Sequence, residues 1–144
     1  MQRVLGILIS FGLSVVVWAG ETISEGWLAK GTKWETPFYV RVSGQDGPTV
    51  VITGGIHGNE PAGARAAEQI RHWSITRGRL VVIPQANIPG LRDGTRFLPG
   101  EPPSRRDLNR QFPKTKMAAE AHGVLGKALW KFIGDQNPDW MIDL

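Results

Sequence analysis

Thr49-Val50-Val51-Ile52-Thr53-Gly54-Gly55-Ile56-His57-Gly58-Asn59-Glu60-Pro61-Ala62-Gly63 contains the change of period that decides the fold. Its first five residues are an unbroken β-branched run, the pattern of a strand buried on both faces. Gly54-Gly55 ends the run. From Glu60 to about Trp73 the spacing turns helical, and Pro61 stands near the first turn, where its missing N–H is tolerated. A buried strand feeding directly into a helix is the unit from which α/β sheets are built.

The flanking sequence repeats this unit. Upstream, Gln45-Asp46-Gly47-Pro48 reads as a turn, and Phe38 to Val42 alternates apolar and polar like a half-buried strand. Residues 20–36 are mixed and polar, and read as an irregular lead-in. Downstream, Arg79 to Ile83 is a second apolar strand, stopped by Pro84. Residues 85–115 are rich in Pro, Gly and Arg without periodicity; a loop of that length in a compact domain is often functional. Lys116 to about Ile133 reads as a second helix, and Trp140 to Leu144 as the start of a further buried strand. The expectation is an α/β domain with a largely parallel sheet. A sheet stopping there would leave apolar edges uncovered, so the sequence reads as truncated after its first few strands.

Composition sets the outer limits. The chain has 144 residues, one domain or less, and no cysteine, which leaves His, Asp and Glu as its strong metal donors. The net charge of +4 is mild and concentrated between Arg92 and Lys116, which argues against a nucleic-acid surface. Met1-Gln2-Arg3, the apolar run Val4 to Val17 and the ending Val17-Trp18-Ala19 match a secretory signal peptide cleaved after Ala19. That divides the chain into a leader, 1–19, a lead-in, 20–36, and a domain, 37–144. The expected location is outside the cytoplasm, with no stable membrane span after cleavage; an uncleaved N-terminal anchor is the alternative.

Two clusters carry chemistry. His57 and Glu60 straddle the strand-to-helix turn, and their spacing lets an imidazole and a carboxylate converge on one cation, zinc being an ion that accepts both. Read alone, the pair fits equally well a helix start in which Glu60 favours the dipole and His57 is a loop residue. The second cluster is Arg106-Asp107-Leu108-Asn109-Arg110-Gln111-Phe112-Pro113. Here Asn109 and Arg110 can grip a carboxylate, and Asp107 can accept the spare N–H of a metal-bound imidazole; a solvated charged loop fits the same letters. His72 and His122, assigned to the two helices, read as structural or exposed, and the tryptophans as packing residues.

Taken together, Gly47-to-Gly63, Gly94-Thr95-Arg96-Phe97 and Asp107-to-Pro113 resemble the succinylglutamate desuccinylase/aspartoacylase family, a branch of the zinc carboxypeptidase-like superfamily. The likeness is dense from about Thr36 to Pro113 and resumes at Asp143-Leu144. It implies a mixed or parallel sheet with flanking helices, Zn2+ held by His57 and Glu60, and Asp107 behind His57. It also implies that Asn109 and Arg110 bind the substrate carboxylate and that Arg96 contacts the scissile carbonyl or an acyl carboxylate. The family's third ligand is the His of an Asp-Leu-His motif. The chain stops at Asp143-Leu144, so that ligand and the catalytic Glu are expected beyond it. The implied reaction is hydrolysis of an amide bond in a small N-acyl amino acid, or in a peptide with a free carboxylate. The alternative is an inactive fragment or binding remnant of such an enzyme. Lys114 stands where the family often has Gly, a departure confined to the loop turn.

Overall fold

The computed structural model describes residues 14–18, 20–114 and 120–144. Strands β1 (Ser14–Trp18), β2 (Glu21–Leu28), β3 (Thr36–Val42), β4 (Thr49–Thr53), β5 (Arg79–Ile83) and β6 (Trp140–Asp143) form one sheet in the order β1-β2-β3-β5-β4-β6. Helix α1 (Pro61–Ile70) follows β4, a short α2 (Ile88–Asp93) follows β5, and α3 (Val124–Asp135) precedes β6. β4 runs parallel to β5 and β6, whereas β1, β2, β3 and β5 pair antiparallel in succession. The sheet is therefore mixed, less parallel than the strand–helix alternation suggests, because its N-terminal third is a meander.

The β-branched strands behave as expected of strands buried on both faces. Ile52, Leu80 and Val82 pack on Ala67 and Ile70 of α1. Val51 and Val81 turn the other way, onto Val40 with Phe132 and Ile133 of α3. Phe38 and Phe132 meet at 4.3 Å between ring centroids. A larger cluster beside them joins Leu28, Ile56, Ile83, Leu98, Leu108, Leu125 and Leu129. It unites both ends of the long segment after β5 with α3 and with the residue preceding His57, so apolar burial holds the loop in place.

Several boundaries move. Residues 20–36 are not an irregular lead-in, since Glu21–Leu28 is a full strand. Its polar composition hides it, and its order comes from pairing with β3 along Thr22–Leu28. Ser14–Trp18, inside the expected leader, pairs with β2 as the edge strand; residues 1–13 and Ala19 lie outside the described residues. The segment 85–115 is not structureless: it holds α2 and one 3-10 turn, Leu108–Arg110. The helix expected from Lys116 starts at Val124. Gly123, at φ 68°, breaks the backbone there, and the amide of His122 bonds instead to the carbonyl of Gln111; residues 115–119 lie outside the described residues.

Candidate metal and substrate site

The carboxyl end of β4 opens into Gly54-Gly55-Ile56-His57, where open α/β sheets place their ligands. Gly55 takes φ 71°, a conformation natural to glycine. The loop is clamped to the segment after β5: Ala86 and Asn87 donate their amides to the carbonyls of Gly54 and Gly55. Asn87 is fully buried and serves as the clamp's hub. Its Oδ1 accepts from the amide of Gly90, and its Nδ2 donates to the carbonyls of Ile56 and Phe97, each at 3.4 Å. Sequence reading assigned Asn87 no role. The available signal was Asn-Ile-Pro, an N-cap residue followed by proline in the first turn of α2.

His57, only 8% exposed, lies between two carboxylates. Its Nδ1 is 3.3 Å from Glu60 Oε2, and its Nε2 is 3.2 Å from Asp107 Oδ1. Asp107 is fixed in turn, because Oδ1 also accepts from the amide of Asn109 at 3.1 Å, capping the 3-10 turn. Leu108, fully buried, pins that turn into the core. Arg96 completes the group: Nη1 donates to Glu60 Oε1 at 3.0 Å, and Nε stands 3.8 Å from Asp107 Oδ2.

Residues distant in sequence, 57, 60, 96 and 107, thus meet at one place. Asn109 joins through its backbone and lines a cleft of about 180 Å³ with Thr53, Ile56, Phe112, Trp130 and Asp143. The floor of this cleft is tied across the sheet by Thr53, whose hydroxyl donates to Asp143 Oδ1 at 2.6 Å. Arg110 is exposed, and its guanidinium enters no ion pair among the described residues. His72 and His122 are exposed and stand away from the site, just outside α1 and α3 rather than within them.

The donor set can be tested against a metal. With its Nε2 proton directed at Asp107, His57 presents the Nδ1 lone pair beside Glu60 Oε2. Two acceptors at that spacing need a proton or a cation between them. An imidazole nitrogen and a carboxylate oxygen, with a carboxylate orienting the far side of the imidazole, fit a zinc-type ion. Among the described residues no third His, Asp or Glu converges on the same point.

A model of the succinylglutamate desuccinylase/aspartoacylase catalytic domain matches residues 46–144. The chain belongs to this family. Its members are amide hydrolases of deacylase and aspartoacylase type. An N-alpha-acetyl-L-2,4-diaminobutyric acid deacetylase of Halomonas elongata is 34% identical over 71 residues, 47% of this chain and 20% of that protein. The crystal structure of an aspartoacylase family protein from Mesorhizobium loti superposes with a TM-score of 0.67 at 24% identity, covering 94% of this chain and 44% of that one. A succinylglutamate desuccinylase/aspartoacylase from Rhodobacter sphaeroides has a TM-score of 0.60 at 26% identity, covering 98% and 43%. The fold is theirs, and the chain spans less than half the length of these relatives.

Proposed function

We propose that this chain is the N-terminal part of a zinc-dependent amide hydrolase and supplies two of its metal ligands and its substrate clamp. The observation that carries the reading is the convergence of His57 Nδ1 and Glu60 Oε2, with Asp107 on the opposite nitrogen of the imidazole. When bound there, zinc would polarise the scissile carbonyl and lower the pKa of water. Asp107 holds His57 in the tautomer that donates from Nε2. Asn109 and Arg110 grip the free carboxylate of the substrate, Arg110 as a planar fork whose guanidinium has no competing ion pair among the described residues. Arg96 serves the carbonyl or an acyl carboxylate.

The substrate is a small N-acyl amino acid or a peptide with a free carboxylate. The deacetylase relative supports deacylation. Trimming of an external peptide fits the second part of the proposal, export after cleavage at Ala19, which rests on the basic start and apolar run of the first residues. No helix among the described residues is long and apolar enough to cross a membrane. Two converging donors rather than three favour a second reading for the 144 residues taken alone: a binding remnant without turnover.

Zinc titration of the chain tests the site. Wild type is expected to bind zinc, more weakly than a three-ligand site, and His57→Ala and Glu60→Ala to lose at least about tenfold in affinity, since even losses outside the ligand set cost about 10–100-fold. Unchanged zinc binding in His57→Ala would refute the assignment. Hydrolysis of N-acetyl amino acids is expected to require a product extended past Leu144 by a further His and a Glu base; turnover by the short chain would mean the ligands are misassigned.

A further inference from the structure

The family likeness gives Arg96 a role toward substrate, yet its guanidinium faces the protein's own carboxylates. Nη1 holds Glu60 Oε1 at 3.0 Å, and Nε lies 3.8 Å from Asp107 Oδ2. The other oxygen of each carboxylate faces His57, Glu60 Oε2 at Nδ1 and Asp107 Oδ1 at Nε2. Arg96, Glu60, His57 and Asp107 therefore close a circuit in which each group touches two others.

We infer that Arg96 is a positioning residue for the metal donors, a role that rests on the metal reading of His57 and Glu60. The Glu60 side chain is 60% exposed and sits on the turn before α1, so nothing from the core fixes its rotamer. Two carboxylates flanking one imidazole also repel each other. A guanidinium placed between their outer oxygens cancels that repulsion and leaves the inner oxygens aimed at His57. A carboxylate has about four lone-pair sites, so Arg96 on Oε1 leaves Oε2 free. Glu60 is thereby set to offer a metal one oxygen rather than two. Through Asp107 the same fork steadies the His57 tautomer. Lysine, a single point charge on a flexible stem, cannot hold two carboxylates in this way.

The experiment compares the full chain with Arg96→Ala and Arg96→Lys, by NMR-monitored zinc titration and by ¹⁵N shifts of the His57 imidazole without zinc. The Glu60 and Arg96 side chains are partly exposed, so the low end of the range for outer-shell losses applies. Arg96→Ala should weaken zinc about tenfold and convert His57 from one tautomer to a mixture. Arg96→Lys should recover part of the affinity, and its amide spectrum guards against a variant that merely unfolds. Unchanged affinity and tautomer in Arg96→Ala would overturn the inference. Tighter zinc would overturn it as well, by showing that Arg96 competes for Glu60. If wild type and His57→Ala bind zinc alike, the metal reading fails. The tautomer measurement then decides alone whether Arg96 orders the pair.

Discussion

A methyl group at Gly58 would run into the carbonyl of Gly90 and the amide of Leu91. His57 precedes this contact directly, so the loop that carries it can approach the backbone of α2 this closely only because residue 58 lacks a side chain. Neither partner is a flexible side-chain end, and the backbone itself would have to move. Gly58→Ala is expected to cost about 1–3 kcal/mol, the range for overpacking, and to lower zinc affinity by displacing His57. Denaturant unfolding and zinc titration of the variant check this; wild-type stability would show that the loop yields freely. Gly54 is tight for a similar reason, a Cβ there lying 2.6 Å from the Gly63 carbonyl oxygen. The sequence displayed these glycines plainly. That Gly58 serves packing across two segments rather than a positive φ is visible only once Gly90 is beside it.

Among the elements, the least obvious in sequence is the β2–β3 ribbon, and it is joined to α1 by charge. Arg41 of β3 bonds Glu21 of β2 at 3.1 Å and the carbonyl of Arg71 at 3.0 Å, where α1 ends. The Arg71 guanidinium lies 4.1 Å over the ring of Tyr39 and also holds Glu68. Tyr39 is pushed above the ordinary tyrosine range, chiefly by burial, with Arg71 pulling the other way and Glu68 and Glu25 adding to the rise. The folded chain therefore favours the neutral phenol. Its contribution to stability is complete below pH 10, the ordinary tyrosine value, and is lost as pH rises from there through the higher folded pKa. Tyr39 is the only tyrosine in the sequence, so absorbance at alkaline pH reports it alone. The midpoint should lie above that of unfolded chain, and Arg71→Gln should raise it further. A midpoint at or below the unfolded value would show that Arg71, not burial, dominates.

For the whole molecule, the arrangement of the sheet bears on processing. Among the described residues β1 is the outermost strand and pairs only with β2. Cleavage after Ala19 would remove β1 and make β2 the edge, leaving the parallel core of β4, β5 and β6 and the site untouched. If the chain is exported as proposed, the mature protein is expected to begin at Gly20 and to bind zinc as the full chain does. Intact mass of the exported protein decides the first point; retention of residues 1–19 would favour the anchored form, with β1 kept in the sheet. At the other edge, β6 exposes Trp140, Met141 and Ile142. The strand expected over Trp140–Leu144 is therefore present but not buried as expected, because among the described residues it pairs only with β4.

The sequence by itself determined the local elements whose signal is local. Thr49–Thr53 and Arg79–Ile83 coincide with β4 and β5 to the residue, because β-branched runs bounded by glycine and proline leave little choice. It also determined the family, since the motifs that carry the likeness are each contiguous, and from them it named the candidate donors. Only the tertiary structure decided the rest. β2 exists because β3 pairs with it, and no apolar periodicity announces it. Asn87 ties the His57 loop, through the Ile56 carbonyl 31 residues away, to the Phe97 carbonyl 10 residues on. Arg96 faces Glu60 across 36 residues, and Asp107 faces His57 across 50. Such contacts are set by chain reversal and core packing, with Leu108 and Ile56 buried in one cluster, and no window of sequence contains both partners.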